Sequence, residues 1–249
     1  MNPIAAAICA LASAHVPPDP PQHAMPEMSN EQMIELMQME DDASFAMVLF
    51  DELEWREEDR RDAAHLDVEA WYGTDYNKAW VRTEGNWIDG DYEGLAELFW
   101  DRVVGRWWHT QVGMRHDFGV GPSRQWLGVG VQGLAPHWFE VEATVYVGEQ
   151  GRTALRFSGG YEVFITQRLI LQPKIEFDVY GKDDRENEVA SGLADSEIGL
   201  RLRYEIRREI APYFGVVWTR TYGDTADFAR AAGHDTNDVR VVAGLRMWF

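Results

Sequence analysis

Five of the nine methionines, Met25, Met28, Met33, Met37 and Met39, fall in one stretch of fifteen residues, and His15 and His23 stand just ahead of them. Thioether sulfur is a soft, neutral ligand that suits Cu(I), and imidazole suits Cu(II). A stretch carrying both offers copper sites of either oxidation state without a preformed cage. His23, Met25 and Met28 lie within six residues, and Met33, Met37 and Met39 converge if the chain bends or coils around an ion. The competing reading makes Met33, Ile34 and Met37 the apolar face of an amphipathic helix that docks on a neighbouring surface. Ile34 and Leu36 are the only other large aliphatic residues nearby, which favours ligands over packing. Five of the ten prolines (Pro17, Pro18, Pro20, Pro21, Pro26) share the region, so residues 15–43 read as a flexible Met/His/Pro-rich segment. The spacing allows a short helix over 29–39 with Ser29 or Asn30 as its N-cap, although isolated helices of this length are marginal in water.

Two further histidines sit in alternating patterns with polar residues. His65 shares a face with Asp67 and Glu69, and His109 with Gln111 and Arg115; both are candidate ligands, although a single such histidine is more often a hydrogen-bonded polar group. His116 and Met114 fall on the opposite face, His137 in a turn and His234 in a long loop. The carboxylates Glu140, Glu142, Glu176, Asp178 and Glu197 occupy the same kind of face as Arg201, Arg203, Arg240 and Arg246. That pattern reads first as a salt-bridge network and second as a path that attracts cations. No Gly-x-Ser-x-Gly elbow, HExxH helix, phosphate loop or dinucleotide fingerprint occurs, so an enzyme is not expected.

The charge balance agrees with a cationic ligand. Forty-two acidic against 23 basic side chains give a formal net charge of −19, which argues for metal ions and against nucleic acid. The single cysteine, Cys9, cannot form an intrachain disulfide. The longest apolar run, Ile4 to Ala12, is too short for a spanning helix and has the size of a signal-peptide core. It leads into Ala12-Ser13-Ala14, a small-x-small cleavage pattern, but no basic residue precedes it. Residues 1–14 therefore read as a truncated signal peptide.

From Ser44 onward the hydrophobic period is two. Phe139-Val141-Ala143-Val145-Val147 opposes Trp138-Glu140-Glu142-Thr144-Tyr146, and Ile198-Leu200-Leu202-Tyr204 opposes Glu197-Gly199-Arg201-Arg203. Twelve such strands are expected, near 45–56, 64–73, 76–86, 95–103, 107–117, 124–133, 138–148, 152–164, 168–181, 195–205, 210–222 and 238–249. Each is close to the length a tilted strand needs to cross a bilayer. Alternation alone does not separate this from a soluble sandwich, but the connections do. Tight turns alternate with longer acidic loops, and every long loop joins an odd strand to the next even one. An antiparallel up-and-down transmembrane β-barrel of about twelve strands is expected over 44–249, with both termini on the short-turn side. Trp55, Trp107, Trp108, Trp126, Trp138 and Trp248 lie near strand ends, where aromatic girdles form, and the chain closes an alternating strand on Phe249.

Several long strings carry a family resemblance: LGVGVQGLAP from Leu127 to Pro136, TQRLILQP from Thr166 to Pro173, YGKDD from Tyr180 to Asp184, GLRLRYEIRRE from Gly199 to Glu209 and TADFAR from Thr225 to Arg230. On these, residues 44–249 resemble the outer-membrane copper resistance protein B family. The resemblance implies a barrel in the outer membrane of a Gram-negative bacterium, acting in copper tolerance alongside periplasmic copper proteins, with membrane lipid around it. It also implies a periplasmic Met- and His-rich N-terminal segment, here in a short version. The expected function is to bind copper, as Cu(I), Cu(II) or both, and either sequester it or pass it across the membrane. The alternative is a porin-like or structural barrel whose methionines are incidental.

Overall fold

A computed structural model describes Ser29 and residues 31–33, 43–58, 61–88, 90–119 and 121–249. The chain divides into two compact units, 1–41 and 42–249. In the first, residues 31–33 are helical. Ser29 Oγ accepts from the Gln32 amide at 3.3 Å, while Gln32 Oε1 accepts from the Ser29 amide at 3.1 Å. This reciprocal capping box satisfies two donors that a helix start leaves orphaned, and it settles Ser29 as the cap. His15, His23, Met25, Met28, Met37 and Met39 lie outside the described residues, as does the candidate signal peptide; Met33 is exposed.

The second unit is one antiparallel sheet closed on itself. Its strands are β1 (Phe45–Glu58), β2 (Arg61–Gly73), β3 (Asn77–Ile88), β4 (Asp91–Val103), β5 (Trp108–Phe118), β6 (Arg124–Ala135), β7 (Phe139–Gly148), β8 (Thr153–Gly160), β9 (Val163–Phe164), β10 (Leu169–Tyr180), β11 (Gly192–Tyr204), β12 (Ile210–Thr221) and β13 (Asn237–Trp248). Each pairs with its chain neighbour, and β13 pairs with β1 to close the barrel. The two-residue β9 continues β8 along β10 past Tyr161 and Glu162, so the barrel has twelve staves. All twelve expected strands are present, the eighth interrupted.

Alternation sorts the side chains as expected. Val145 and Val147 are 51% and 54% exposed on the outer surface while Thr144 and Tyr146, which alternate with them, are each 1% exposed; Val241 at 66% stands beside Val242 at 0%. An outer surface this apolar fits hydrocarbon around it, and the closed sheet pairs its strands from β1 round to β13 and leaves no open edge to the lipid. Trp55 and Trp87 ring the end where long loops gather, and Tyr72, Tyr76, Trp107, Trp138, Tyr204 and Phe249 ring the short-turn end. Trp126 departs from the girdle expectation. It lies on the same face as Gly128, is buried in the lumen, and donates its indole N–H to Asp117 at 2.7 Å.

Two features were not legible from alternation. Strands β1 and β2 run on through charged residues, leaving only 59–60 between them, and β3 and β4 leave only 89–90. A run such as Glu57-Glu58 looks like loop, but ladder hydrogen bonds are indifferent to side-chain charge. The loop before β13 contains a helix, α1 (Gly223–Ala232), ended by Gly233 at φ 86°. Glycine is favoured at that left-handed C-terminal position.

Candidate functional site

The register of β1 slips between Phe50 and Glu52 against β2, a β-bulge at Asp51. A bulge sets two residues of one strand against one of the next. Before it Met47 and Leu49 face inward; after it Glu52, Glu54 and Arg56 do, all three 3% exposed. Asp51 and Glu52 are both turned toward Asp67 on β2, and one carboxylate oxygen from each of the three lies within 4.8 Å of the others.

Around this bulge the lumen holds a continuous ion-pair cluster. Glu52 accepts from Lys174 Nζ at 3.0 Å, Arg201 at 2.6 Å and Arg56 at 3.1 Å. Glu54 takes Arg201 Nε at 2.5 Å and Arg56 Nε at 2.7 Å. Glu197 lies 3.3 Å from Arg56, Lys174 also reaches Asp67 at 3.5 Å and Glu176 at 3.3 Å, and Arg246 holds Asp51 at 2.6 Å. Counted as ionised, Asp51, Glu52, Glu54, Asp67, Glu176 and Glu197 face Arg56, Lys174, Arg201 and Arg246. Carboxyl groups outnumber the basic side chains of this cluster, six to four. The cluster thus combines the two sequence readings: the carboxylates are largely paired, and the excess still favours cations. Toward the loop end a cavity of about 420 Å³ is lined by Glu84, Glu176, Asp178, Asp195 and Glu197, with Arg56 and Arg156 among the cations facing them.

The β4–β8 wall is packed differently. Phe99, Trp126, Tyr146 and Ala154 form an inward apolar cluster, and Tyr146 donates to Glu97 at 2.5 Å. The glycines of the LGVGV string make room for it. A Cβ on Gly128 would come within 3.0 Å of Phe99 and 3.1 Å of Tyr146, and one on Gly130 would meet Thr144 Oγ1 at 2.4 Å. Inside a narrow barrel, small residues opposite large ones fill the taper.

The two lumen histidines are both inward, as alternation requires, and each has its own partners. His65 Nδ1 is 2.8 Å from Asn86 Oδ1, and its Nε2 is 3.5 Å from Glu52, so it borders the bulge cluster. His109, the second residue of β5, pairs with Asp101 at 2.8 Å at the short-turn end. The structure therefore places them in different parts of the lumen. No sequence pattern groups Asp51, Glu52 and Asp67, because a bulge, not alternation, brings them together.

At the loop end, the 181–191 connection is tied across the mouth. Asp184 accepts from Arg124 at 2.7 and 3.0 Å, and Arg152 lies 3.1 Å from it. The hydrogen bonds from Arg124, then desolvation, then attraction to Arg124 and Arg152 act on this carboxyl, and the net effect holds it below its ordinary range. Thr225 of α1 accepts the Ala190 amide at 3.0 Å, which joins the two long loops.

A closed twelve-stave barrel with an apolar exterior, a charged lumen and loops gathered at one end is an outer-membrane β-barrel. Solved barrels share the architecture: the NanC porin matches with a TM-score of 0.54 at 13% identity, over 82% of this chain and 99% of that one, and the KdgM porin with 0.50 at 10%, over 83% and 99%. At such identities only the fold is shared. Sequence relatives are closer. The chain is 44% identical to Copper resistance protein B of Escherichia coli over 84% of its own length and 71% of that protein, and 40% identical to a Copper resistance protein B homolog of Pseudomonas syringae pv. tomato over 85% and 72%. The family model "Copper resistance protein B precursor (CopB)" matches residues 44–249. The chain belongs to the copper resistance protein B family, which assigns it a role in copper resistance. Family and fold point away from an enzyme.

Proposed function

We propose that the protein binds copper at the outer membrane, receiving the ion on the Met/His segment of residues 15–43 and either holding it there or exchanging it with the barrel lumen. An even number of staves supports a periplasmic position for the segment and the short turns, where periplasmic copper proteins would meet it. The observation that carries this reading is the acidic excess of the bulge cluster: in a barrel whose relatives are named for copper resistance, a lumen in which carboxyl groups outnumber basic side chains favours entry of a cation over an anion. The soft ligands Met25, Met28, Met33, Met37 and Met39, with His15 and His23, add the selectivity for copper that carboxylates lack. Replacing the five methionines with Leu keeps size and apolarity while removing sulfur. The detergent-solubilised variant is expected to lose Cu(I) binding in titration and its cells to lose copper tolerance, with the barrel assembled normally. Undiminished Cu(I) binding would remove the segment from the mechanism. Copper accumulation in cells with and without the protein then gives the direction: less copper when it is present means sequestration or export, more means uptake.

A further inference from the structure

At the short-turn end of the lumen lies a second polar constellation, separate from the bulge cluster. Asp101 on β4 is fully buried, with 0% exposure. Its Oδ1 lies 2.8 Å from His109 Nδ1, and its Oδ2 accepts from Gln111 Nε2 at 3.2 Å and Gln132 Nε2 at 2.9 Å. An ionised carboxylate only accepts, so these bonds fix the chemistry of all three partners. His109 must carry its proton on Nδ1, which leaves the Nε2 lone pair free whenever the ring is neutral. Gln111 must turn its NH₂ toward Asp101 and therefore its carbonyl away.

That carbonyl, Gln111 Oε1, is buried and has no hydrogen-bond partner among the described residues; the same holds for Thr144 Oγ1. Gln111 faces Gly130 across β5 and β6, and Gly130 faces Thr144 across β6 and β7. A Cβ at Gly130 would meet Thr144 Oγ1 at 2.4 Å, so glycine is what lets that hydroxyl pack there. Buried acceptors left without a protein donor are rare and call for an ordered water, a ligand or an ion. Imidazole nitrogen suits a borderline divalent ion, and a histidine that donates its other N–H to a carboxylate is the usual arrangement of a metal-bound imidazole.

We infer that His109 Nε2 is a ligand for a divalent transition-metal ion, Cu(II) in the first instance, at the short-turn mouth of the lumen, with Asp101 as the positioning residue and Gln111 Oε1 as a neighbouring acceptor. The choice of ion rests on the copper reading above; the site itself rests on the bonds around Asp101. His109 is only partly buried, its side chain 26% exposed, so the ring is reachable from the lumen. The site differs from the methionine segment in oxidation state: thioethers hold Cu(I), whereas this one takes the oxidised ion.

The test uses full-length protein in detergent with His15 and His23 replaced by Ala, titrated with Cu(II) and followed by electron paramagnetic resonance. A bound signal with nitrogen superhyperfine structure is expected; it should vanish in His109→Gln and survive in His65→Gln. Asp101→Asn should weaken binding by about 10–100-fold while the nitrogen signature remains. A wild-type experiment guards against misfolded variants: Cu(II) should protect His109 from diethylpyrocarbonate. An unchanged signal in His109→Gln, or unprotected His109 in the wild type, overturns the inference. Neither outcome touches the methionine segment, whose own test is Cu(I) binding by the five-Leu variant.

Discussion

The residues divide by the kind of evidence that exposes them. Methionine density is visible in composition, and the inward placement of His65 and His109 follows from counting by twos. What His109 does depends on Asp101, eight residues away on the preceding strand, and no local pattern announces that pair. The Asp51, Glu52 and Asp67 group is equally hidden, because it exists only where alternation fails. At the loop end, Asp184 yields a pH prediction. Its carboxyl is held below the usual range by Arg124 and Arg152, against an unfolded value of about 3.9. A depressed pKa contributes stability that is complete above the unfolded value and is lost as pH falls through the folded one. A spin label at Glu188→Cys should stay immobile from pH 7 down to about 5 and gain mobility only below about pH 4. Asp184→Asn should release the same label at pH 7. Mobility that rises near pH 6 would point to a histidine instead.

For the elements, the strands were the most legible part of the chain, since half of each is exposed to hydrocarbon and half to a charged interior, and no position is neutral. Their ends were less so: charged strand tips at Glu57 and Asp62 resemble loop, and α1 was hidden in a segment too short and polar to show a helical stripe. The outer face gives a direct prediction. Arg in place of Val145 or Leu200 should cost about 2–4 kcal/mol near the bilayer midplane and reduce the folded fraction in urea titrations in lipid vesicles. Arg in place of Val239, outward-facing and nearer the loop end of β13, should cost less. Cysteines at Val145 and Leu200 should react with a lipid-soluble maleimide and resist an aqueous one; ready labelling by the aqueous reagent would be incompatible with a membrane-facing surface.

In the whole molecule, closure is the property that matters, and an even count of strands with alternating loop lengths already implied it. A closed barrel resists unfolding as a unit, so the protein should migrate faster on a gel unheated than boiled; a single mobility would contradict the closed sheet. Closure also has a consequence for the order of events during synthesis. The seam joins the first strand to the last, and the ion pair that crosses it, Asp51 with Arg246, links residues 195 positions apart. Until the twelve residues of β13 exist, β1 and β12 each present an unpaired edge that hydrocarbon cannot satisfy and that other chains can add to. The nascent polypeptide thus has no stable halfway product. It must be delivered to the membrane complete and still unassembled, and a chain cut short before β13 is lost entirely, however much of its metal-binding segment it retains.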